Sequence, residues 1–263
     1  MVGSVLRALA DLVLPRTCAG CGLPGQILCR RCAALLAVPR PAAPRRFPWG
    51  FPPTVAAGAY SGPVRPAVNA FKERGRTELA GPRGTALALA VAAVVSAVPD
   101  ASGPVLLVPV PSSRTALRTR GRDHVRELTA RAVAELQAAG LPAAEARLLR
   151  RQGRVRDSAG LSAAARRDNL AGTFRWTAAP TPGALLVLVD DVVTSGATLT
   201  EAATALAAGT RPGDPPVLAA VVAATPRRIL GATSAGDLRV VPKRSGNVPD
   251  HSLGRLSGPS VSD

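Results

Sequence analysis

Lysine is almost missing from this chain. Of 33 basic residues only Lys72 and Lys243 are lysine, and 17 acidic residues leave a formal net charge of +16. Heavy arginine, alanine and proline use is what a codon-biased genome produces; an anionic partner such as phosphate, pyrophosphate or nucleic acid explains the charge equally well. Aromatic residues are scarce at 3%, so alanine, valine and leucine must fill the core. Bases also have few rings to stack on: Phe47, Trp49, Phe51, Tyr60, Phe71, Phe174 and Trp176. Cysteine is absent outside residues 18–32, which excludes a cysteine nucleophile elsewhere. Long apolar runs are absent too. "ALALAVAAVVSAV" (86–98) falls short of the roughly 17–25 residues that span a bilayer and reads as a buried alanine-rich helix. The N-terminal "VLRALADLVLP" places Val5, Leu6, Leu9, Leu12 and Val13 on one helical face, is also too short, and is interrupted by Asp11. The expectation is a cytoplasmic protein with no membrane partner.

The four cysteines that are present, Cys18, Cys21, Cys29 and Cys32, form CxxC, seven residues, CxxC. Tetrahedral zinc takes four thiolates at about 2.3 Å, two from each turn, and leaves no open position. Gly20 and Gly22 permit tight turns, and Arg16, Arg30 and Arg31 favour ionised thiols. Two disulfides are the rival arrangement, disfavoured in a reducing compartment. The expectation is structural zinc whose binding contributes on the order of 10 kcal/mol to folding of a small module.

Beyond the cysteines, "PRPAAPRRFPWGFPP" (39–53) reads as an extended linker. Alternation then sets in. "TVAAGAYSG" predicts a strand and turn, "VRPAVNAFKERGRTELA" a basic helix broken at Gly75, and "VLLVPVP" (105–111) a buried strand. A helix is predicted over 126–140, then the strand "ALLVLVDD", the helix "ATLTEAATALAAG" and a third apolar strand over 216–225. Strands buried on both faces and alternating with helices predict an α/β fold with a mostly parallel sheet. The Gly/Ser/Pro-rich end, 242–263, reads as a disordered tail. The expected division is therefore 1–38, 39–53, 54–241 and 242–263.

The most informative stretch is "LVLVDDVVTSGATLTEAATAL" (186–206). A strand running into Asp190 and Asp191 places carboxylates at the mouth of the sheet, where open α/β folds bind ligands. Thr194, Ser195, Gly196, Ala197 and Thr198 then open a helix, whose free amides and dipole suit a phosphate. The carboxylates would repel that phosphate, so they should face ribose hydroxyls of the same ligand. The stretch is neither a Walker loop nor a dinucleotide fingerprint.

With these residues the chain resembles the type I phosphoribosyltransferases, and in its whole order the ComF family of competence-associated proteins, which join a cysteine zinc module to such a domain. The matching pieces are the cysteine knot, "YSGPVRPAVNAFKERG", "VPVPSSRTALRTRG", "LSAAARRDNLAGTF" and residues 190–198. The resemblance implies a type I phosphoribosyltransferase fold binding 5-phosphoribosyl-1-pyrophosphate (PRPP) with Mg²⁺. Thr194 to Thr198 would cradle the 5′-phosphate and Asp190 and Asp191 the ribose. Pro111, Ser112, Ser113 and Arg114 would form the pyrophosphate loop, with a strained or cis peptide. The arginine-rich segment 147–169 would close over the ligand, with Arg166 the PRPP-contacting arginine. Catalytic roles would fall to Asp190, Asp191 and Arg166, and phosphoribose would pass to an acceptor with release of pyrophosphate. The alternative function is a non-catalytic accessory of DNA uptake. Expected partners are PRPP, single-stranded DNA or a DNA helicase, and a second copy of the chain. Two stretches depart from the family's pattern: Arg120-Gly121-Arg122-Asp123-His124 stands for an Arg-Gly-Phe-Asn-Gln-like run, and Asp157 for a common glutamine. No substrate contact is carried over to them, and His124 is expected on the surface or in a polar network.

Overall fold

The computed structural model describes residues 16–44, 49–98, 103–152 and 172–226. The expected N-terminal helix, Phe47, Arg166 and the rest of 153–171, and the tail lie outside the described residues.

Leu185–Val193 (β7) and Leu218–Ala224 (β8) are nearly continuous apolar runs, and β-branched or small apolar side chains on both faces suit a strand buried between two layers. They form the middle of a six-stranded sheet, ordered β1 (Arg40–Pro41), β2 (Thr54–Ala59), β8, β7, β3 (Val105–Pro109), β4 (Ala143–Glu145). All neighbours are parallel except β1, a two-residue antiparallel edge. A separate antiparallel pair joins β5 (Leu149–Arg151) to β6 (Phe174–Trp176).

Alternation along β7 divides the core. Leu185, Val187 and Val189 join the layer built by α2 (Val64–Lys72), α3 (Ala80–Val95) and α5 (His124–Ala138), with Phe71, Leu87, Val91 and Leu128. Leu186 and Leu188 join the opposite layer, with Leu199, Ala202 and Leu206 of α6 (Ala197–Ala207) and with Phe174. The α3 and α5 axes pack closely because Gly84 faces Arg131, where a Cβ would collide with the arginine's own Cβ. From β3 the chain passes through α4 (Arg114–Arg120) and α5 to β4, while from adjacent β7 it passes through α6 to β8 on the other face. The connections diverge between β3 and β7, and such a switch point opens a crevice at the carboxyl ends of the strands.

The α/β class and mostly parallel sheet agree with the sequence. Three elements differ from expectation. The paired acids lie within β7, because Val192 and Val193 continue the ladder opposite Ala223 and Ala224. The alanine-rich helix begins at Ala80 and ends at Val95; with the preceding 3₁₀ turn it gives Thr77–Val95, 19 residues of mean hydropathy 1.3. By length and composition it could cross a membrane, but half of it is buried here, packed on β2, β8 and α5. α5 starts at His124, two residues early, because the Asp123 carboxylate accepts from Arg126 N (3.4 Å) and caps it.

The cysteine knot is stitched by backbone. Gly22 N donates to Cys18 O (2.8 Å), closing the first CxxC turn with Gly22 at φ 79°. The second CxxC opens the short helix α1 (Arg30–Ala34), which carries Cys32.

Candidate functional site

The crevice between β3 and β7 is a cleft of about 700 Å³. One wall is the stretch from Asp190 to Thr198, the second is Val110 to Ser113 with Ala116 and Arg120, and the third is α2 with Tyr60. Asp190, Asp191, Thr194, Ser195, Ala197, Thr198, Pro111, Ser112 and Ser113 all line it. Gly196 does not; it is buried behind the loop at φ 79°, and a Cβ there would stand 2.9 Å from the Phe51 ring and Pro44. Arg114 points to solvent at the start of α4 and does not line the cleft; Arg120, at the other end of the same helix, does.

The two walls differ in how ready their donors are. α6 is three turns long and begins at Ala197; Gly196 offers it no side-chain cap, and Ala197 N makes a long contact with Ser195 Oγ (3.5 Å), so the amides that follow and the Thr194 and Thr198 hydroxyls remain for a ligand. On the facing wall Ser113 Oγ is already used, accepting from Ala116 N (3.1 Å) as the α4 cap, and Ser112 Oγ contacts Asp123 Oδ1 (3.3 Å). Of the strained or cis peptide implied for this loop, the cis form is not there: no cis bond occurs among the described residues.

The paired carboxylates occupy unlike environments. Asp191 is 2% exposed, and its Oδ2 lies 3.1 Å from Lys72 Nζ and 3.2 Å from His124 Nε2. Burial works against its charge, but the His124 contact, Lys72 and Arg83 outweigh it and hold the carboxyl well below the usual carboxylate range. Asp190 lines the cleft without such partners. Burial, then the Asp191 anion beside it, push its pKa up, against the weaker pull of Lys72. Its Oδ1 accepts from Asp191 N (2.8 Å), which fixes the side chain at the cleft wall. Burial disfavours the Lys72 ammonium too, but Asp191 and then Asp190 more than offset this and raise its pKa.

Beneath the pair, Phe71 carries two guanidinium groups on its ring, Arg83 at 4.7 Å and Arg122 at 4.1 Å from the centroid. Arg83 is fully buried, its pKa lowered by burial to about 10, so it stays cationic at neutral pH. Arg151, on β5, lines the cleft from the side, with its Nε buried and without a hydrogen-bond partner.

Sequence reasoning missed Lys72, Arg120, Tyr60 and Asn69, whose Oδ1 accepts from the Tyr60 hydroxyl (2.9 Å). It grouped Arg151 with a closing loop rather than with the cleft wall. For Lys72 a signal existed: in a chain that spells nearly every cation as arginine, one lysine stood in a quoted segment. A lysine ammonium is a compact point charge that a guanidinium does not replace. His124 is buried, 3% exposed, and belongs to the polar network rather than the surface.

The second site is the cysteine cluster. The four Sγ atoms lie within 4.8 Å of one another, with Cys21 and Cys29 Sγ 3.7 Å apart, and all four thiols are free. Ligands about 2.3 Å from a tetrahedral ion stand about 3.8 Å from each other, so this cluster could hold zinc. Burial opposes ionisation of Cys18, but the backbone amides of Cys29 (3.3 Å to Sγ), Cys21 and Gly20 prevail and lower its pKa to about 6. Backbone donors rather than the neighbouring arginines make this thiolate.

Of the three aromatics grouped in the linker, Phe51 is 3% exposed against Gly196 while Trp49 is 80% exposed. Phe51 is therefore unavailable as a stacking surface. No family model matches the chain, and no curated protein matches it.

Proposed function

We propose that this chain is a PRPP-binding, phosphoribosyltransferase-like protein of the ComF kind that, with Mg²⁺, transfers phosphoribose to a nucleophilic acceptor and releases pyrophosphate. One observation carries the reading: an acidic pair in a central parallel strand, and the start of α6 six residues after Asp191, open into one cleft at the sheet's switch point. The spacing suits a ligand with vicinal hydroxyls next to a phosphate. Asp190, facing the cleft, would accept from the ribose hydroxyls, while Asp191 acts through Lys72. Thr194, Thr198 and the α6 amides would take the 5′-phosphate. Lys72, Arg151 and Arg120, the last paired with Glu73 at 3.1 Å, would bring positive charge to the leaving pyrophosphate. In the transfer the C1–oxygen bond to pyrophosphate breaks as the acceptor's lone pair forms a new bond at C1. Mg²⁺, when bound with PRPP, would supply further charge neutralisation of the pyrophosphate. The cysteine cluster is assigned to structural zinc, and Arg166 remains the proposed contact from the arginine-rich segment.

Calorimetry of Mg²⁺ and PRPP with the zinc-loaded full chain tests this. The wild-type protein is expected to bind, and Asp190→Asn and Thr198→Val each to weaken binding at least about tenfold, as loss of charged or buried hydrogen bonds does. A folded wild-type protein that does not bind PRPP overturns the reading. Binding without pyrophosphate release on any acceptor leaves a sensing module.

A further inference from the structure

The cysteine knot grips α2 at both ends. In the first CxxC turn, a Cβ on Gly20 would stand 2.9 Å from Pro63 O and 2.9 Å from Cys32 Sγ, so the knot's backbone presses on the residue that caps the start of α2. Beyond the other end, Arg76 Nη1 donates to Thr17 O (2.9 Å), immediately before Cys18, while its backbone N donates to Ala70 O (3.1 Å) inside α2. Glu78 orients the same guanidinium at 2.7 Å. Between the two grips, the last residue of α2 is Lys72, which reaches Asp191 in the cleft.

We propose that the knot is a strut for the cleft: a metal ion on Cys18, Cys21, Cys29 and Cys32 fixes α2, and through Lys72 sets the cleft's affinity for its anionic ligand, with Arg76 as the positioning residue. The anionic ligand rests on the function proposed above. The strut itself rests on packing. The knot has a five-residue helix and few buried apolar side chains, so without the metal little holds it together. α2 has nine residues, too few to be stable alone, and depends on its neighbours for position. Its inner face, Ala67, Val68 and Phe71, keeps it on the sheet; the contact at Pro63 bears on its start, and Arg76 shares its C-terminal end with Arg122, whose Nη2 donates to Phe71 O (2.8 Å), and with Arg120, which pairs with Glu73 (3.1 Å). A shift at the C-terminal end moves the Lys72 ammonium away from Asp191 and the ligand.

Hydrogen exchange and calorimetry on the full chain test it together, using zinc-loaded protein, chelator-treated protein, and the variants Arg76→Ala and Arg118→Ala, the latter an exposed control on α4. Chelation, and more weakly Arg76→Ala with its zinc retained, should speed exchange in 64–73 while β7 and β8 stay protected. PRPP affinity should fall about 2- to 30-fold in Arg76→Ala, the range of couplings carried through packed elements. Arg118→Ala should change neither. In a Lys72→Met background the Arg76→Ala effect on affinity should vanish, which separates positioning from general loosening. Unchanged α2 exchange in Arg76→Ala overturns the strut, as does joint loss of protection in α2, β7 and β8. If wild-type protein fails to bind PRPP, the functional reading falls with the affinity arm, and the exchange arm still decides the strut.

Discussion

A single carboxylate oxygen, Asp191 Oδ2, sits between Lys72 Nζ at 3.1 Å and His124 Nε2 at 3.2 Å. Asp190, its chain neighbour, has no such cation on it, so two adjacent acids of one motif do opposite things to the fold. Asp191 is ionised and buried among positive groups. Asp190 is pressed toward its neutral form by burial and by Asp191.

The stability effects of the two asparagine variants should differ in sign. Asp191→Asn leaves Lys72 and Arg83 without their anion and disturbs the His124 contact, and should cost about 3 kcal/mol, the low end for breaking a buried pair because Lys72 can still reach water. That loss should appear above the usual carboxylate range and fade in acid, since a depressed folded-state pKa stabilises only where the group is ionised. Asp190→Asn keeps the oxygen that accepts from Asp191 N and removes a disfavoured charge. A raised folded-state pKa gives stability at low pH that is lost as pH rises through it, so Asp190→Asn should match wild type in acid and exceed it in alkali. Urea unfolding of both variants at several pH values checks the pair of signs.

Ligand binding should show the same asymmetry. If ribose hydroxyls require the ionised form of Asp190, binding must release a proton from the fraction of cleft that holds it neutral. PRPP affinity should therefore rise between about pH 6 and pH 8, more steeply than the ligand's own titration allows. Calorimetry in two buffers of different ionisation enthalpy counts the protons. Asp190→Asn should remove the excess slope and keep only the ligand's contribution.

What could be read in the sequence follows from how locally each feature is encoded. β7 and β8 were legible because a strand buried on both faces needs an unbroken apolar run. The acids, hydroxyls and glycine of 190–198 were legible because one turn of chain places them together, and the cysteine spacing because two CxxC turns face one point. The pairing of Lys72 with Asp191 was not, although the rarity of lysine marks the residue, since the two stand 119 residues apart and only the parallel pairing of β2, β8 and β7 brings α2 over Asp191. The short strands β4, β5 and β6 carry three residues each, too few for alternation to show. Arg83 lies outside the alanine-rich stretch 86–98 expected to be a helix, and nothing local marks it as buried; it is fully buried with its guanidinium over the Phe71 ring and close enough to Asp191 to feel its charge.

Metal content gives a further test. The purified chain should carry about one zinc ion, and Cys21→Ser, altering the most exposed of the four ligands, should lose it. Tm should fall with the metal, and added zinc should restore it in wild type but not in the variant. Zinc content by elemental analysis, read beside the Tm, distinguishes loss of the ion from loss of the fold.

Gly196 joins two demands at one position. Its φ of 79° favours glycine, and the space where a Cβ would go is taken by the Phe51 ring and Pro44, both at 2.9 Å. Alanine there should cost about 1 kcal/mol for the backbone conformation and a further amount of similar size for displacing a ring that is 3% exposed. The ring lies behind the loop that opens α6, so the shift should also reach the amides offered to the ligand phosphate. Gly196→Ala is thus expected to destabilise by about 2 kcal/mol and to weaken PRPP binding. Phe51→Ala alone should cost about 3 kcal/mol or more through its cavity. The double variant should be less destabilised than the sum, because the methyl occupies space the ring has left, whereas the cost of the positive φ remains. Denaturant unfolding of the four proteins measures this coupling; strict additivity would mean that Phe51 does not support the loop.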